Sequence, residues 1–257
     1  MKELRKLSQE ELQKILELHK LWLESNRKEG TRADLSYANL RCVNLSNANL
    51  RYCDLRCADL ANANLGYIDL SYADLRHVDL SDTNLKCANL TTADLSEANL
   101  TNVDLSDVNL KYAKLSYADL SDSDLRCADL FYAILEGTDL SDANLSGANL
   151  SNAKLTNANL TNAILEGADL SYADLYKTNL FYTKVDNMIG INNVGNENRT
   201  VYYFYKEDRV ICGCFDNTLE EFNKAVTEKY GKDYGSYAIA IEVFEKMNKL
   251  QKLAIKY

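Results

Sequence analysis

The stretch ADLSYANL at residues 33–40 decides the fold, because its five-residue pattern continues without insertion through most of the chain. Leucine stands at every fifth position from Leu35 to Leu180, thirty times in a row, and Val185 continues the register. A period of five fits neither the heptad of a coiled coil nor the 3.6-residue spacing of an amphipathic helix. The pattern therefore excludes a helical fold for this region.

The residues around each leucine predict a unit of three extended residues followed by two turning residues. The position two before leucine is Ala in twenty units and Val in four. Because side chains two apart on an extended segment share a face, this position and the leucine point inward together. The position between them is Asp or Asn in 26 of the thirty units, points outward, and can hydrogen-bond to the nearby turn backbone.

The tyrosines indicate how many units close one coil. In the second position after leucine, a 20-residue spacing collects five tyrosines and is interrupted only by Thr92 and Asn152. The best 15-residue spacing also collects five tyrosines, but from ten positions. Four units per coil are therefore favoured. We call this set the tyrosine column; its members are Tyr52, Tyr72, Tyr112, Tyr132 and Tyr172.

The A-[DN]-L-x-x pattern resembles the pentapeptide-repeat proteins over residues 33 to about 185. The resemblance implies a mainly β fold, a right-handed quadrilateral parallel β-helix with four repeats per coil. Thirty units then give about 7–8 coils and a solenoid roughly 36 Å long at a strand spacing near 4.8 Å. Leucines and alanines stacked inside such a coil leave no room for a ligand cavity, so function is expected on the outer faces or at the ends.

Composition agrees with a continuous backbone ladder and excludes several classes of protein. The 257 residues contain no proline, which indicates that nearly all backbone N–H groups are committed to hydrogen bonds. No apolar run approaches the roughly 20 residues that a bilayer needs, and residues 1–12 lack a signal-peptide core. The net charge of -9 argues against direct nucleic-acid binding through phosphate contacts. We therefore expect a cytoplasmic protein that does not associate with membranes.

Both termini read as covers for the ends of the coil, which would otherwise expose unpaired backbone groups. Residues 1–30 form the predicted N-terminal cap, with one amphipathic helix over residues 8–29. Ser8 and Glu11 fit a capping box, Leu7 and Leu12 a hydrophobic staple, and Gly30 a helix C-terminus. The apolar stripe of this helix comprises Leu12, Ile15, Leu16, His19, Trp22 and Leu23.

After the β-helix of residues 31–185, the composition predicts a linker over residues 186–199 and a small α+β module over residues 200–257. Residues 200–205 and 209–215 alternate like a β-hairpin, and helices are predicted from Thr218 to Gly231 and from Ser236 to Leu253. The segments LELHKLWLESNRKEGTRADL (residues 16–35) and ICGCFDNTLEEF (residues 211–222) also resemble flanking segments in a subset of pentapeptide-repeat proteins from bacteria and phages.

The sequence holds no recognisable catalytic motif. Seven cysteines without a C-x-x-C pair indicate reduced thiols, and His19 and His77 are the only histidines that could complete a metal site with Cys212 and Cys214. Two half-buried strand cysteines are the favoured reading of that pair. We predict no enzymatic activity, no catalytic residue, no metal and no cofactor.

One side of the coil is predicted to be acidic. The face centred on Leu40 and every twentieth residue after it carries seven aspartates against a single Arg41, a balance of -6. We call this the acidic face; its aspartates are Asp59, Asp79, Asp82, Asp119, Asp122, Asp139 and Asp142. Their spacing along the rod is close to that of phosphates on one DNA strand. Four of them occupy the position where nearly every unit has Asp or Asn.

Two interpretations of the function follow. The first is a non-enzymatic scaffold that binds a protein partner through the tyrosine column, the acidic face or the C-terminal module, since Tyr is favoured at interfaces. The tyrosines can equally form a ladder that stiffens the rod. The alternative is a DNA-mimic modulator of DNA gyrase or topoisomerase IV, which the resemblance implies for some members of the family. The partner's identity and a homodimer through a terminal segment are left open.

Overall fold

The computed structural model forms two compact units, Met1–Lys184 and Val185–Tyr257. The structure describes residues 3–185, 188–194, 199–204, 209–212, 215–230, 237, 240–242 and 244–246. The first unit holds the five-residue repeats and one helix, and the second holds a four-stranded sheet and a helix.

The repeats wind into a coil that closes every twenty residues. Parallel bridges join each outward Asp or Asn position to the one twenty residues later, from Asp34 with Asp54 through to Ile164 with Lys184. The prediction of four units per coil is therefore confirmed. Each bridge is the middle residue of a three-residue extended segment, and two turning residues separate successive segments, so the coil has short sides and corners rather than long strands.

All five backbone N–H groups of a unit are hydrogen-bonded, as residues 93–97 illustrate. Three of the bonds reach neighbouring coils, one closes the local turn, and one goes to the side chain of the unit's own aspartate. These are Ala93 N to Leu90 O (3.0 Å), Asp94 N to Ala73 O (3.0 Å), Leu95 N to Lys114 O (2.7 Å), Glu97 N to Ser116 O (3.0 Å) and Ser96 N to Asp94 Oδ1 (3.2 Å). Proline lacks the N–H that every position uses, which explains its absence from the coil.

The interior of the coil is filled by the leucines and the small residues two before them. Leu35, Leu75, Leu115 and Leu155 are fully buried, as are alanines such as Ala93. Where Thr replaces Ala, its hydroxyl donates to a carbonyl 23 residues earlier; the Thr138 Oγ1 atom lies 2.7 Å from Leu115 O. A polar side chain inside the coil is thus satisfied by backbone of the preceding coil.

The second position after leucine adopts the left-handed backbone conformation in every unit. Its φ is positive at all thirty positions from Tyr37 to Tyr182, and only three of them are glycine. Asn and Asp tolerate this region, whereas a bulky side chain there is uncommon. The positions that carry the tyrosine column therefore have a strained backbone in addition to their outward orientation.

Helix α1 spans Gln9–Glu24, shorter than the predicted range of residues 8–29. The capping box is confirmed, because Ser8 Oγ accepts from Glu11 N–H and the Glu11 carboxylate accepts from Ser8 N–H. The helix ends early because Asn26 and Arg27 take left-handed conformations, and Ser25 Oγ accepts the N–H groups of residues 28 and 29. Gly30 lies beyond this turn rather than at the helix end.

A short strand, β1 (Arg5–Lys6), precedes α1 and pairs in parallel with β2 (Ala38–Asn39) of the first coil. The Arg5 N–H donates to Tyr37 O at 2.6 Å. This strand supplies backbone partners at the open end of the ladder and was not predicted from the sequence.

The second unit is an antiparallel sheet in the order β3 (Met188–Val194), β4 (Arg199–Phe204), β5 (Arg209–Cys212) and β6 (Phe215–Asn217), followed by α2 (Leu219–Tyr230). The predicted linker at residues 186–199 is corrected, because Met188–Val194 is a strand that pairs with β4, with a shift in register between Ile191 and Val194. The predicted hairpin corresponds to the β4–β5 pair.

The core of the second unit joins one side of the sheet to helical residues. Its buried residues include Tyr203, Val210, Phe222 and Phe244. The helix predicted from Ser236 to Leu253 falls only partly within the described residues, of which residue 237 and residues 240–242 and 244–246 are helical.

Candidate interaction faces

On the acidic face, the aspartates next to the leucines are engaged by their own turns. Asp79, Asp119 and Asp139 each accept, at Oδ1, the N–H and the hydroxyl of the serine two residues later. Asp59 accepts the N–H of Ala61 and pairs with Arg41 at 3.3 Å. These four carboxylates therefore support the fold, which agrees with their place in the repeat.

The other three aspartates of the acidic face lie at the left-handed position and are exposed. Asp82, Asp122 and Asp142 have φ values of 56°, 58° and 59°. Asp82 accepts a hydrogen bond from Asn102 Nδ2 at 2.7 Å. Among the described side chains, no Lys or Arg lies within ion-pair distance of any of the three, so their charge is available to a partner.

The tyrosine column consists of two stacked pairs and one separate ring. The ring centroids of Tyr52 and Tyr72 lie 5.0 Å apart, and those of Tyr112 and Tyr132 lie 5.7 Å apart, with interplanar angles of 16° and 9°. Tyr72, Tyr112 and Tyr132 remain 48%, 50% and 47% exposed, and Tyr172 is 85% exposed. The column thus combines the stacking of a ladder with an open aromatic surface.

The first ring of the column is covered by the N-terminal region of the same unit. The Trp22 ring of α1 meets Tyr52 edge-on at 6.3 Å, and Arg27 Cζ lies 4.5 Å from the Tyr52 centroid. Arg51 lies 5.5 Å from the same ring. Tyr52 is accordingly half-buried, so the surface open to a partner begins at Tyr72.

Phe131 adds a further aromatic side chain beside the second pair, and it was not among the residues predicted from the sequence. Its ring meets Tyr132 edge-on at 4.6 Å and Tyr112 edge-on at 5.9 Å. Phe131 occupies the first position after Leu130, next to the position of the tyrosine column, and this placement in the repeat could have predicted its contact with the column. The three rings form the densest aromatic cluster on the described outer surface of the coil.

Another face carries ion pairs that neutralise its acidic positions. Arg56 binds Asp54 through two hydrogen bonds of 2.6 Å and 2.9 Å, and Arg76 binds Asp74 in the same way. The hydrogen bond from the Arg56 side chain holds the pKa of Asp54 below its ordinary value. On the opposite side of the coil, Arg126 lowers the pKa of Asp124 by the same kind of contact. These carboxylates are committed to arginines of the chain itself.

The described residues show no arrangement suited to metal binding. Within those ranges, no group of three or more His, Cys, Asp or Glu side chains is placed to hold an ion. Cys53 fills an inward position, where burial raises the pKa of its thiol, and Cys212 is buried in the second unit. The predicted partner of Cys212, Cys214, lies outside the described residues.

A groove of about 420 Å³ lies between α1 and the first coil. Leu12, Leu16, Val43 and Leu45 form its apolar walls, and of the described residues that line it only Arg41 is charged. Acid–base chemistry at such a site needs groups that titrate near neutral pH, and those lining residues include no carboxylate, histidine or cysteine.

Among the described residues, no helix is both long and apolar enough to cross a membrane.

The family model for pentapeptide repeats matches residues 31–66, 63–102, 104–142 and 143–180, which together are more than half of the chain. Among solved structures, HetL from the cyanobacterium Nostoc, a pentapeptide repeat protein involved in heterocyst differentiation regulation, is 36% identical over 58% of this chain and 81% of its own, with a TM-score of 0.32.

Two further solved structures are similar over shorter or more divergent stretches. A pentapeptide repeat protein of the Arabidopsis thaliana thylakoid lumen is 35% identical over 38% of this chain and 63% of its own, with a TM-score of 0.27. QnrB1, a plasmid-mediated fluoroquinolone resistance protein, is 20% identical over 56% and 84%, with a TM-score of 0.35. No curated protein is significantly similar to the chain.

Proposed function

Because the chain belongs to the pentapeptide repeat family, whose members form right-handed β-helix solenoids and act as protein-interaction scaffolds, we propose that it binds a protein partner through the face that carries the tyrosine column. The role is non-enzymatic, with the coil as a rigid support. Helix α1 and strand β1 serve as the N-terminal cap, and the second unit is a separate C-terminal module.

The observation that carries this proposal is the placement of exposed tyrosines on strained backbone. A left-handed conformation costs an L-residue roughly 1–2 kcal/mol, and Asn or Gly adopts it more easily. The column itself uses Asn152 at one such position. Tyrosine at Tyr72, Tyr112 and Tyr132 therefore carries a backbone cost, and stacking within two pairs leaves about half of each ring in solvent.

The exposed halves of these rings suit a protein interface. Tyrosine supplies a large contact area with few rotatable bonds, and it is enriched where proteins meet. The rigid coil holds the rings in a fixed row, so binding requires little ordering of the surface. Phe131 widens the row in the region of Tyr112 and Tyr132.

The test is affinity capture with the tagged full-length chain and face-specific variants. Tyr112→Asn combined with Tyr132→Asn removes two rings while keeping a residue that tolerates the left-handed backbone. We expect this variant to lose the partner, whereas Asp82→Asn, Asp122→Asn and Asp142→Asn combined should retain it. If the tyrosine variant still captures the partner and the aspartate variant does not, the interface is the acidic face and not the tyrosine column.

The second candidate function is mimicry of duplex DNA by the acidic face, acting on DNA gyrase or topoisomerase IV. It is favoured by the exposed carboxylates of Asp82, Asp122 and Asp142, which repeat along one side of the rod and have no ion-pair partner among the described residues. A supercoiling assay tests it: mimicry predicts salt-sensitive inhibition or protection that the triple Asn variant loses. No effect of the wild-type chain at micromolar concentration would exclude it.

A further inference from the structure

The tyrosine column has two gaps, which we call the notches, at Thr92 and Asn152. Tyr72 and Tyr112 flank the first notch, and Tyr132 and Tyr172 flank the second. Since one coil advances about 4.8 Å, the flanking residues of a notch stand about 9.6 Å apart along the rod. Each notch is a position where the repeat places a short polar side chain in place of a ring.

The rings beside the first notch each have one face in a stack and the other turned toward the notch. The face of Tyr72 that points away from the notch stacks on Tyr52, and the face of Tyr112 that points away from the notch stacks on Tyr132. A planar group midway between Tyr72 and Tyr112 would lie about 4.8 Å from each ring. That separation is close to the 5.0 Å and 5.7 Å found inside the pairs. The first notch therefore has the thickness of one planar group.

The chain itself shows which planar group the column accepts. At the N-terminal end, the outer face of Tyr52 receives the Arg27 guanidinium, whose Cζ lies 4.5 Å from the ring centroid. A guanidinium is planar, stacks on aromatic faces and keeps its N–H groups free for hydrogen bonds at its edge. The net charge of -9 favours a positively charged partner over a neutral aromatic one.

Charges around the first notch do not oppose a cation. The two lysines within two residues of Tyr112 are paired within the coil, Lys111 with Asp129 at 2.8 Å and Lys114 with Asp94 at 3.6 Å. The second notch is followed by the exposed Lys154, so it should bind a cation more weakly.

We propose that each notch receives the guanidinium of an arginine from the partner, held between two tyrosine rings. This inference rests on the proposed function and specifies the chemistry of the partner. The notches are three coils apart, about 14 Å. On an extended chain, residues four apart are separated by nearly the same distance and share a face. The partner segment is therefore an extended strand with the pattern Arg-x-x-x-Arg.

The probe is a seven-residue peptide, acetyl-Ser-Arg-Ser-Gly-Ser-Arg-Ser-amide, titrated into the full-length chain while the ring protons of Tyr72 and Tyr112 are followed by NMR. We expect these rings to shift, and the peptide to bind about tenfold more tightly than one with a single arginine, because the second contact is intramolecular. A peptide with both arginines replaced by lysine should bind several-fold more weakly, since ammonium does not stack. Equal binding of the lysine peptide would overturn the proposal.

Thr92→Tyr fills the first notch and provides the decisive variant. We expect it to lose the tight binding of the two-arginine peptide. Asn162→Tyr is the matched control, because it adds the same ring at the same exposed, left-handed position on the acidic face. Unchanged peptide binding by Thr92→Tyr would contradict the proposal.

The failure of this inference and the failure of the proposed function give different results. If Thr92→Tyr still captures the partner while Tyr112→Asn with Tyr132→Asn does not, the column is the interface but the notches are not arginine sites. If the double Asn variant also captures the partner, the proposed function itself is wrong.

Discussion

The Nδ1 atom of His19 accepts a hydrogen bond of 3.0 Å from the backbone N–H of Ala33, which fastens helix α1 to the first repeat of the coil. His19 is fully buried, and its ring stacks on Trp22 at 5.7 Å. The contact satisfies a backbone donor at the open end of the ladder, where no preceding coil exists.

Replacing His19 should loosen the N-terminal cap without unfolding the coil. His19→Ala leaves the Ala33 N–H without its acceptor, a loss of about 1–3 kcal/mol in addition to lost packing. Trp22 is the only tryptophan, so its fluorescence reports the detachment of α1 during denaturation. The control is His77→Ala, because His77 is exposed and its side chain lies at the surface beside Glu97, 3.3 Å away. An equal effect of both substitutions would contradict the proposed role of His19.

Mild acid should loosen the same contact. Burial lowers the pKa of His19, the Arg51 backbone opposes that shift, and Arg32 adds to it. The unfolded chain therefore binds more protons at this histidine than the folded chain does, and its contribution to stability is complete above about pH 6.5 and falls below that pH. Trp22 fluorescence followed from pH 7.5 to 5 measures the change. In His19→Gln the fluorescence change between pH 7.5 and 5 should disappear. If this variant keeps the pH profile of the wild-type chain, His19 is not the group that titrates.

Gly30 is expected to be intolerant of a side chain. Its φ is +71°, and a Cβ there would overlap Leu18 O and stand 2.8 Å from Trp22 N. Gly30→Ala should therefore lower the unfolding free energy of the cap by at least about 2 kcal/mol. Gly66→Ala is the matched control, since its Cβ would meet nothing closer than Asn64 Oδ1 at 3.5 Å. Thermal denaturation of both variants, monitored at Trp22 and by circular dichroism, should show a loss only for the first.

The aspartates beside the leucines should act through their oxygen rather than their charge. Asp119→Asn keeps an acceptor for the Ser121 N–H and should change the unfolding free energy by less than about 0.5 kcal/mol. Asp119→Ala removes that acceptor and should cost about 1 kcal/mol. Calorimetry of the two variants separates the effects, and equal losses would show that the carboxylate charge itself stabilises the turn.

The fold of the coil was predictable because the repeat is local and uninterrupted. The five-residue period and the spacing of the tyrosines predicted the 20-residue coil. The absence of proline agrees with a coil in which every backbone N–H group of a unit donates a hydrogen bond. The left-handed φ at Tyr72 or Tyr112 was not predictable from residue type, since bulky side chains are rare in that region. Strands β1 and β3 were missed because each depends on pairing with a distant segment, Arg5 with Ala38 and Met188 with Phe204.

The candidate surfaces were predictable as rows but not in their details. The sequence placed Asp79 and Asp82 on the same face, whereas the structure shows that Asp79 is engaged by Ser81 and Asp82 is exposed. Likewise, Tyr52 belongs to the column by spacing, and only the path of the chain after α1 brings Trp22 and Arg27 over its ring. Such contacts depend on where a terminal segment folds back, which no repeat pattern encodes.

Site-specific photo-crosslinking tests the central claim, a protein partner on the tyrosine face, most directly. A photoreactive aromatic residue is placed at Tyr172 on that face, where it replaces an exposed ring and leaves both notches open, at Asp122 on the acidic face and at Lys86 on a third face. Each full-length protein is irradiated with the captured partner. The proposal predicts a crosslink from position 172 that an excess of the two-arginine peptide suppresses, and little from positions 122 and 86. A crosslink from position 122 with none from position 172 would contradict it.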